Sequence, residues 1–185
     1  MTHENELLRK IAKGKTEYWE ELIGMYYEDI LRYCIYHAPD KTAAEDAVQE
    51  TFLKVIRYMP DYRHRGKFRA FLYKVTSNTC KDQWRKCAKE EWYDTDAEDA
   101  DGEKKLPDEM IYLETGYARS EGEINFLRLV HDLPEEQREV VYLKYAQELS
   151  FREIAGILGI PARTVQSRLR IALKKLRKKE GKPDV

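Results

Sequence analysis

The sequence predicts an all-α fold of two small helical domains joined by an acidic linker. Three observations carry this. Outside the middle of the chain, apolar residues recur at spacings of three and four, the period of helices with one buried face. Nothing alternates with period two for long, and the one hairpin-type pair, Asp101-Gly102, falls in the middle segment. Charge also divides the chain in three. Residues 1–87 carry 16 Lys and Arg against 13 Asp and Glu, a net of +3. Residues 88–123 carry 4 against 13, a net of −9, and residues 124–185 carry 13 against 8, a net of +5.

The elements follow in order. Glu17 to His37 sets Trp19, Leu22, Ile23, Tyr26, Ile30, Tyr33 and Cys34 on one stripe. Thr16 is the expected N-cap, and Pro39 the expected stop. A second helix is predicted over 42–58, opened by a Thr42/Glu45 capping box and closed at Pro60. A third starts after Gly66 and runs to about Lys86, with Phe68, Phe71, Leu72, Val75 and Thr79 on one side. Residues 88–123 have few large apolar side chains and no helical period. They bury too little surface to offset the entropy of ordering, and read as a tether. Their charge suits a basic path on a partner, or shielding of the flanking basic surfaces. In the last part, Leu133-Pro134-Glu135-Glu136 opens a helix continuing to about Ala146, with acids at its positive dipole end. Ser150 and Glu153 form a capping box for a helix over 151–158. Gly159 ends it, and Ile160-Pro161 starts a last helix reaching about Lys179.

The run SFREIAGILGIPARTVQSRLRIALKKL has the grammar of a helix-turn-helix. Ala155 allows close crossing, Gly159 gives the turn, and Ile154, Leu158, Ile160, Val165 and Leu169 form the shared core. Arg163, Thr164, Gln166, Ser167 and Arg170 then face outward. Arg suits guanine and Gln suits adenine in the major groove. Residues 161–182 hold nine Lys or Arg and one acid, Glu180, which suits phosphates. A second basic cluster, Arg63 to Lys86, has eight Lys or Arg and one acid, Asp82. Interleaved are Tyr62, Phe68, Phe71, Tyr73 and Trp84, a pattern suited to single strands because rings stack on unpaired bases. Phe68, Phe71 and Leu72 are read as core.

Other functions lack their residues. No run of 18 apolar residues occurs, so no membrane insertion is expected. The N-terminus lacks the apolar stretch of a secretory signal, and three cysteines without a CxxC pair point to a reducing cytoplasm. The four histidines are scattered, and no Walker loop or nucleophile elbow appears. No catalytic site and no cofactor are expected.

Two blocks together carry a family resemblance: AEDAVQETFLKVIRYMPDYRHRGKFRAFLYKVTSNTCKDQWRK, and then LPEEQREVVYLKYAQELSFREIAGILGIPARTVQSRLRIALKKL. They resemble a sigma factor of bacterial RNA polymerase, of the two-domain extracytoplasmic-function (ECF, group IV) kind in the sigma-70 family. The resemblance implies a region 2-like domain over 1–87, a linker over 88–123 and a region 4-like domain over 124–185. It implies that Asp46, Gln49 and Glu50 dock on the clamp helices of the largest polymerase subunit, and that the flap is a further contact. Their spacing puts all three on one polar face, opposite Val48, Phe52 and Val55. Asn78 takes the family position lining a pocket for a flipped base of the −10 element, with Tyr62 in the adjoining loop and Lys81 and Arg85 beside it. Arg163, Thr164, Gln166, Ser167, Arg168 and Arg170 fall where the family reads the −35 element. The third helix lacks the tandem tryptophans of housekeeping sigma factors. Promoter DNA, core polymerase and an anti-sigma factor are the implied partners. A one-component helix-turn-helix regulator is the rival reading, but residues 42–87 suit neither a ligand pocket nor a dimerisation face.

Overall fold

The computed structural model describes residues 2–38, 41–94, 122, 125–126, 129–130 and 132–179. They belong to two compact units, Met1–Asp101 and Gly102–Val185. No strand occurs among the described residues.

The first unit holds α1 (His3–Ala12), α2 (Trp19–His37), α3 (Lys41–Tyr58) and α4 (Phe68–Asp94). Single 3-10 turns, Thr16–Tyr18 and Met59–Asp61, join α1 to α2 and follow α3. The predicted stripe of α2 is largely buried, with Leu22, Tyr26, Ile30, Tyr33 and Cys34 each under a tenth exposed. Ala44 and Ala47 are fully buried on α3, and such small side chains let helices approach closely. α3 packs on both α2 and α4. Phe68, Leu72, Tyr73 and Val75 of α4 complete the core, with Tyr73 edge-on to Tyr33 at 5.5 Å. Cys80 of α4 meets Cys34 of α2 with sulfurs 3.9 Å apart. Burial first, and then the contact with Cys80, push the Cys34 thiol well above its ordinary range.

Three local expectations are corrected. Thr16 caps nothing; it lies in the 3-10 turn, and α2 begins after Tyr18 without a side-chain cap. Thr42 lies inside α3, which starts at Lys41, so it lacks the extended backbone an N-cap needs. Glu45 instead pairs with Lys41 at 3.7 Å. The third helix runs past Lys86 to Asp94, taking in the first residues of the expected linker. Residues 87–94 contain neither Gly nor Pro, and Ala88, Lys89, Glu90 and Glu91 are good helix formers. Pro39, residues 95–121 with Asp101-Gly102, and the side chains of Trp84 and Cys87 lie outside what the structure describes.

α1 has no counterpart in the expectations. Leu7, Leu8 and Ile11, at 1, 2 and 6% exposure, seat it against α2.

The second unit holds α5 (Glu135–Val141), α6 (Phe151–Leu158) and α7 (Ala162–Lys179). α5 follows Pro134 and ends in a π turn, Tyr142–Ala146. Gln147 donates to the Tyr142 hydroxyl at 3.2 Å, and Lys144 to the Leu149 carbonyl at 3.2 Å. The capping box is present: Glu153 N donates to Ser150 Oγ at 3.4 Å, and Ser150 N to Glu153 Oε2 at 2.9 Å. Gly159 turns the chain at φ +70°, a left-handed conformation that glycine adopts without Cβ strain. Ile154, Val165, Leu169, Ala172 and Leu176 are buried, while Leu158 and Ile160 are only partly so.

Candidate nucleic-acid and polymerase interfaces

α3 has one buried and one open face. Ala44, Ala47, Val48, Thr51, Phe52 and Val55 are buried. On the other side Asp46 and Gln49 are exposed and Glu50 half-buried. The same side continues into Leu53 at 56% and Ile56 at 38% exposure, four and seven residues beyond Gln49 and hence one and two turns on. These two apolar residues were missing from the sequence-based site. Their helical spacing also fits burial, so periodicity alone does not set them apart. Acid and amide groups beside exposed aliphatic carbon form a face suited to a protein helix, not to phosphate.

Lys54 is partly buried between α3 and α4. Its Nζ lies 3.0 Å from Glu50 Oε1 and 3.7 Å from Asp82 Oδ2, and donates to Thr79 Oγ1 at 3.2 Å. Glu50 is therefore held in place from below, and Asn78 stands next to Thr79 on the exposed surface of α4.

The second surface runs along α4. The Tyr62 ring stacks on Phe71, with centroids 4.5 Å apart and planes 29° apart, and meets Phe68 edge-on at 5.8 Å. Phe68 is buried, as read from the sequence, but Phe71 is only partly so. Asn78 follows Phe71 by two turns, roughly 10 Å along the helix on the same face. Lys74, absent from the sequence-based site, lies between them on that face and is exposed. Lys81 and Arg85 continue it; Arg85 pairs with Asp82 at 3.5 Å. Burial, then the field of Glu4, raise the Tyr62 phenol to about 12, so it is a neutral hydrogen-bonding group. Stacked ring, amide and cations thus follow one another along a single strip. The strip fits an unstacked base with its trailing phosphates.

The third surface is the outer face of α7. Arg163, Gln166 and Arg170 are exposed, and Thr164 and Ser167 are partly buried. Arg168 departs from the rest: its guanidinium is 2.7 Å from the Glu136 carboxylate of α5, and only 23% of its side chain is exposed. Lys174 and Arg177 extend the basic face by two further turns. Among the described residues, no helix is long and apolar enough to cross a membrane.

Comparison with known proteins matches both units. The Sigma-70 region 2 family matches residues 22–90, and the Sigma-70, region 4 family matches residues 123–176. The chain is similar to the ECF RNA polymerase sigma factor SigW of Bacillus subtilis, 26% identical over 92% of this chain and 93% of the relative. It is similar to the RNA polymerase sigma-H factor of Pseudomonas aeruginosa, 27% identical over 90% and 88%. Its fold resembles that of the sigma factor RpoE from Bartonella quintana, solved with the anti-sigma factor NepR. That likeness has a TM-score of 0.65 at 22% identity, over 86% of this chain and 94% of the other. A likeness at the same TM-score and 19% identity exists to CnrH, solved with the cytosolic domain of CnrY, over 95% of each chain.

Proposed function

From the premise that the chain belongs to the sigma-70 family, in its extracytoplasmic-function group, we propose a division of its promoter work among the surfaces just described. The protein is an RNA polymerase sigma factor, which directs promoter-specific initiation, and it has core polymerase and promoter DNA as partners. Asp46, Gln49 and Glu50, continued by Leu53 and Ile56, dock on the clamp helices. The Tyr62–Phe71 stack, Asn78, Lys81 and Arg85 take an unpaired −10 base and its backbone. Arg163, Gln166 and Arg170 read the −35 duplex, with Thr164 and Ser167 at the edge, and Arg168 holds the helix that presents them. The region 2-like part is taken as 1–87, the tether as 88–123 and the region 4-like part as 124–185.

Catalysis stays with the polymerase, and no cofactor enters. The factor contributes binding that is stronger for melted than for duplex promoter and so shifts that equilibrium. It works in the cytoplasm. An anti-sigma factor restrains it by covering the α3 face; the pairing of RpoE with NepR in a chain of this fold supports such a partner. A one-component regulator is not favoured, because residues 22–90 match region 2 instead of a ligand-binding domain.

The observation that carries the assignment is the single strip on α4. A ring stack, an amide two turns on and flanking cations supply what one flipped base with its phosphates requires. Holoenzyme assembled with Asn78→Ala tests it. Open-complex formation falls while core binding holds. Equal loss in both assays removes Asn78 from the pocket.

A further inference from the structure

α1 precedes the segment that matches region 2, yet it touches the loop that carries Tyr62. His64 Nε2 lies 2.7 Å from Asn5 Oδ1, and the Tyr62 hydroxyl lies 3.4 Å from His64 Nδ1. An amide oxygen only accepts, so Nε2 carries the ring proton, and Nδ1 is left to accept from Tyr62. Asn5, His64 and Tyr62 therefore form one directed chain across residues far apart in sequence. The two rings also lie within 6.0 Å of each other.

The Asn5 end is well anchored. Leu7, Leu8 and Ile11 are buried, the Tyr26 hydroxyl donates to Glu4, and His3 lies 2.7 Å from Glu21 of α2. The loop end has no such packing of its own. Arg63, His64, Arg65, Gly66 and Lys67 are all exposed, and Gly66 turns at φ +69°. The stack on Phe71 and the edge contact with Phe68 set the plane of the Tyr62 ring but leave its hydroxyl end some freedom to swing. A hydrogen bond at the hydroxyl removes that freedom.

We propose that α1 is a positioning element for −10 base capture, acting through Asn5 and His64 to hold the Tyr62 ring in register over Phe71. The proposal rests on the reading of Tyr62 as part of the base pocket. Asn5 and His64 do not touch the base; they act through Tyr62. Losing one ordinary hydrogen bond from this chain leaves the pocket present but looser, so the effect is a several-fold one.

The test uses holoenzyme made from core polymerase and full-length chain, with a fluorescent adenine analogue in the −10 non-template strand reporting unstacking. Asn5→Ala lowers the open-complex equilibrium about three- to tenfold, the size of one net hydrogen bond. Thermal midpoint and core affinity stay at the unsubstituted values. Asn5→Asp, which keeps an acceptor for His64 Nε2–H, restores melting. Tyr62→Ala in the same assay serves as the reference. Loss with Tyr62→Ala but none with Asn5→Ala overturns the proposal alone. No loss with Tyr62→Ala overturns the base-pocket reading and the proposal with it. A fall in thermal midpoint that matches the melting defect, unrelieved by Asn5→Asp, reduces α1 to a structural prop and likewise overturns it.

Discussion

The Arg168 guanidinium stands 2.7 Å from the Glu136 carboxylate, tying the middle of α7 to the first turn of α5. Arg163, Gln166 and Arg170 of the same helix point to solvent instead. One basic helix therefore holds Arg168 against α5 while leaving Arg163 and Arg170 open to solvent. Arg168→Ala is expected to lower the stability of the second unit by up to about 1 kcal/mol, because Glu136 is well exposed and water screens the pair. Arg163→Ala is expected to leave stability unchanged and to reduce −35-dependent initiation about tenfold, the scale of one lost base contact. Thermal melts beside transcription from promoters with and without a −35 element separate the two.

Leu53 exposes more than half of its surface on the face that also carries Asp46, Gln49, Glu50 and Ile56. Leu53→Ala is expected to leave the thermal midpoint within error and to weaken core binding by about tenfold or more, as for a leucine buried in an interface. Titration of labelled protein with core polymerase measures it. A change in stability with no change in affinity would mean that Leu53 serves the fold.

Lys54 joins Glu50 to Thr79 and Asp82. Lys54→Met keeps the aliphatic stem and removes the cation. It is expected to cost about 1 kcal/mol of stability, because the site is part-buried, and to weaken core binding several-fold by freeing Glu50. Adding Glu50→Gln to Lys54→Met should then cause little further loss, since contacting residues are coupled. Full additivity would show that the two act separately.

Alkaline pH offers a check on burial. Tyr62 is raised from an ordinary 10.0 to about 12, and Cys34 and Tyr26 are raised too, chiefly by burial. Groups kept neutral in the fold give up their protons more readily in the unfolded chain. Their contribution is whole below the unfolded values and is lost as pH rises through the folded ones. Thermal midpoints should therefore fall with increasing steepness above about pH 9 to 10, the ordinary thiol and phenol range. Tyr62→Phe should show a shallower fall between 10 and 12.

Sequence patterns disclosed the helices wherever a long stripe or a complete cap was present. The α2 stripe and the Ser150/Glu153 box are such cases, since both depend on residues within one or two turns. Thr16 and Thr42 misled because a capping residue type says little about which backbone the chain adopts there. α1 escaped because its buried apolar residues, Leu7, Leu8 and Ile11, span little more than one turn, and its seat on α2 is a tertiary fact. The candidate surfaces were legible as helix faces. Their couplings were not: Asn5 to His64, Cys34 to Cys80 and Arg168 to Glu136 each join residues far apart in the chain. No local pattern encodes such pairs.

As proposed, this chain gives core polymerase its promoter choice through separate duplex and single-strand surfaces. The direct measurement is run-off transcription with purified core polymerase on a cognate promoter, alongside a core-binding assay. A start-specific transcript that depends on the added chain is expected. Asn78→Ala and Arg163→Ala reduce it without lowering core affinity, and Leu53→Ala reduces it by lowering that affinity. Tight binding of duplex DNA by the free chain, with no association with core polymerase and no start-specific transcript, would contradict it.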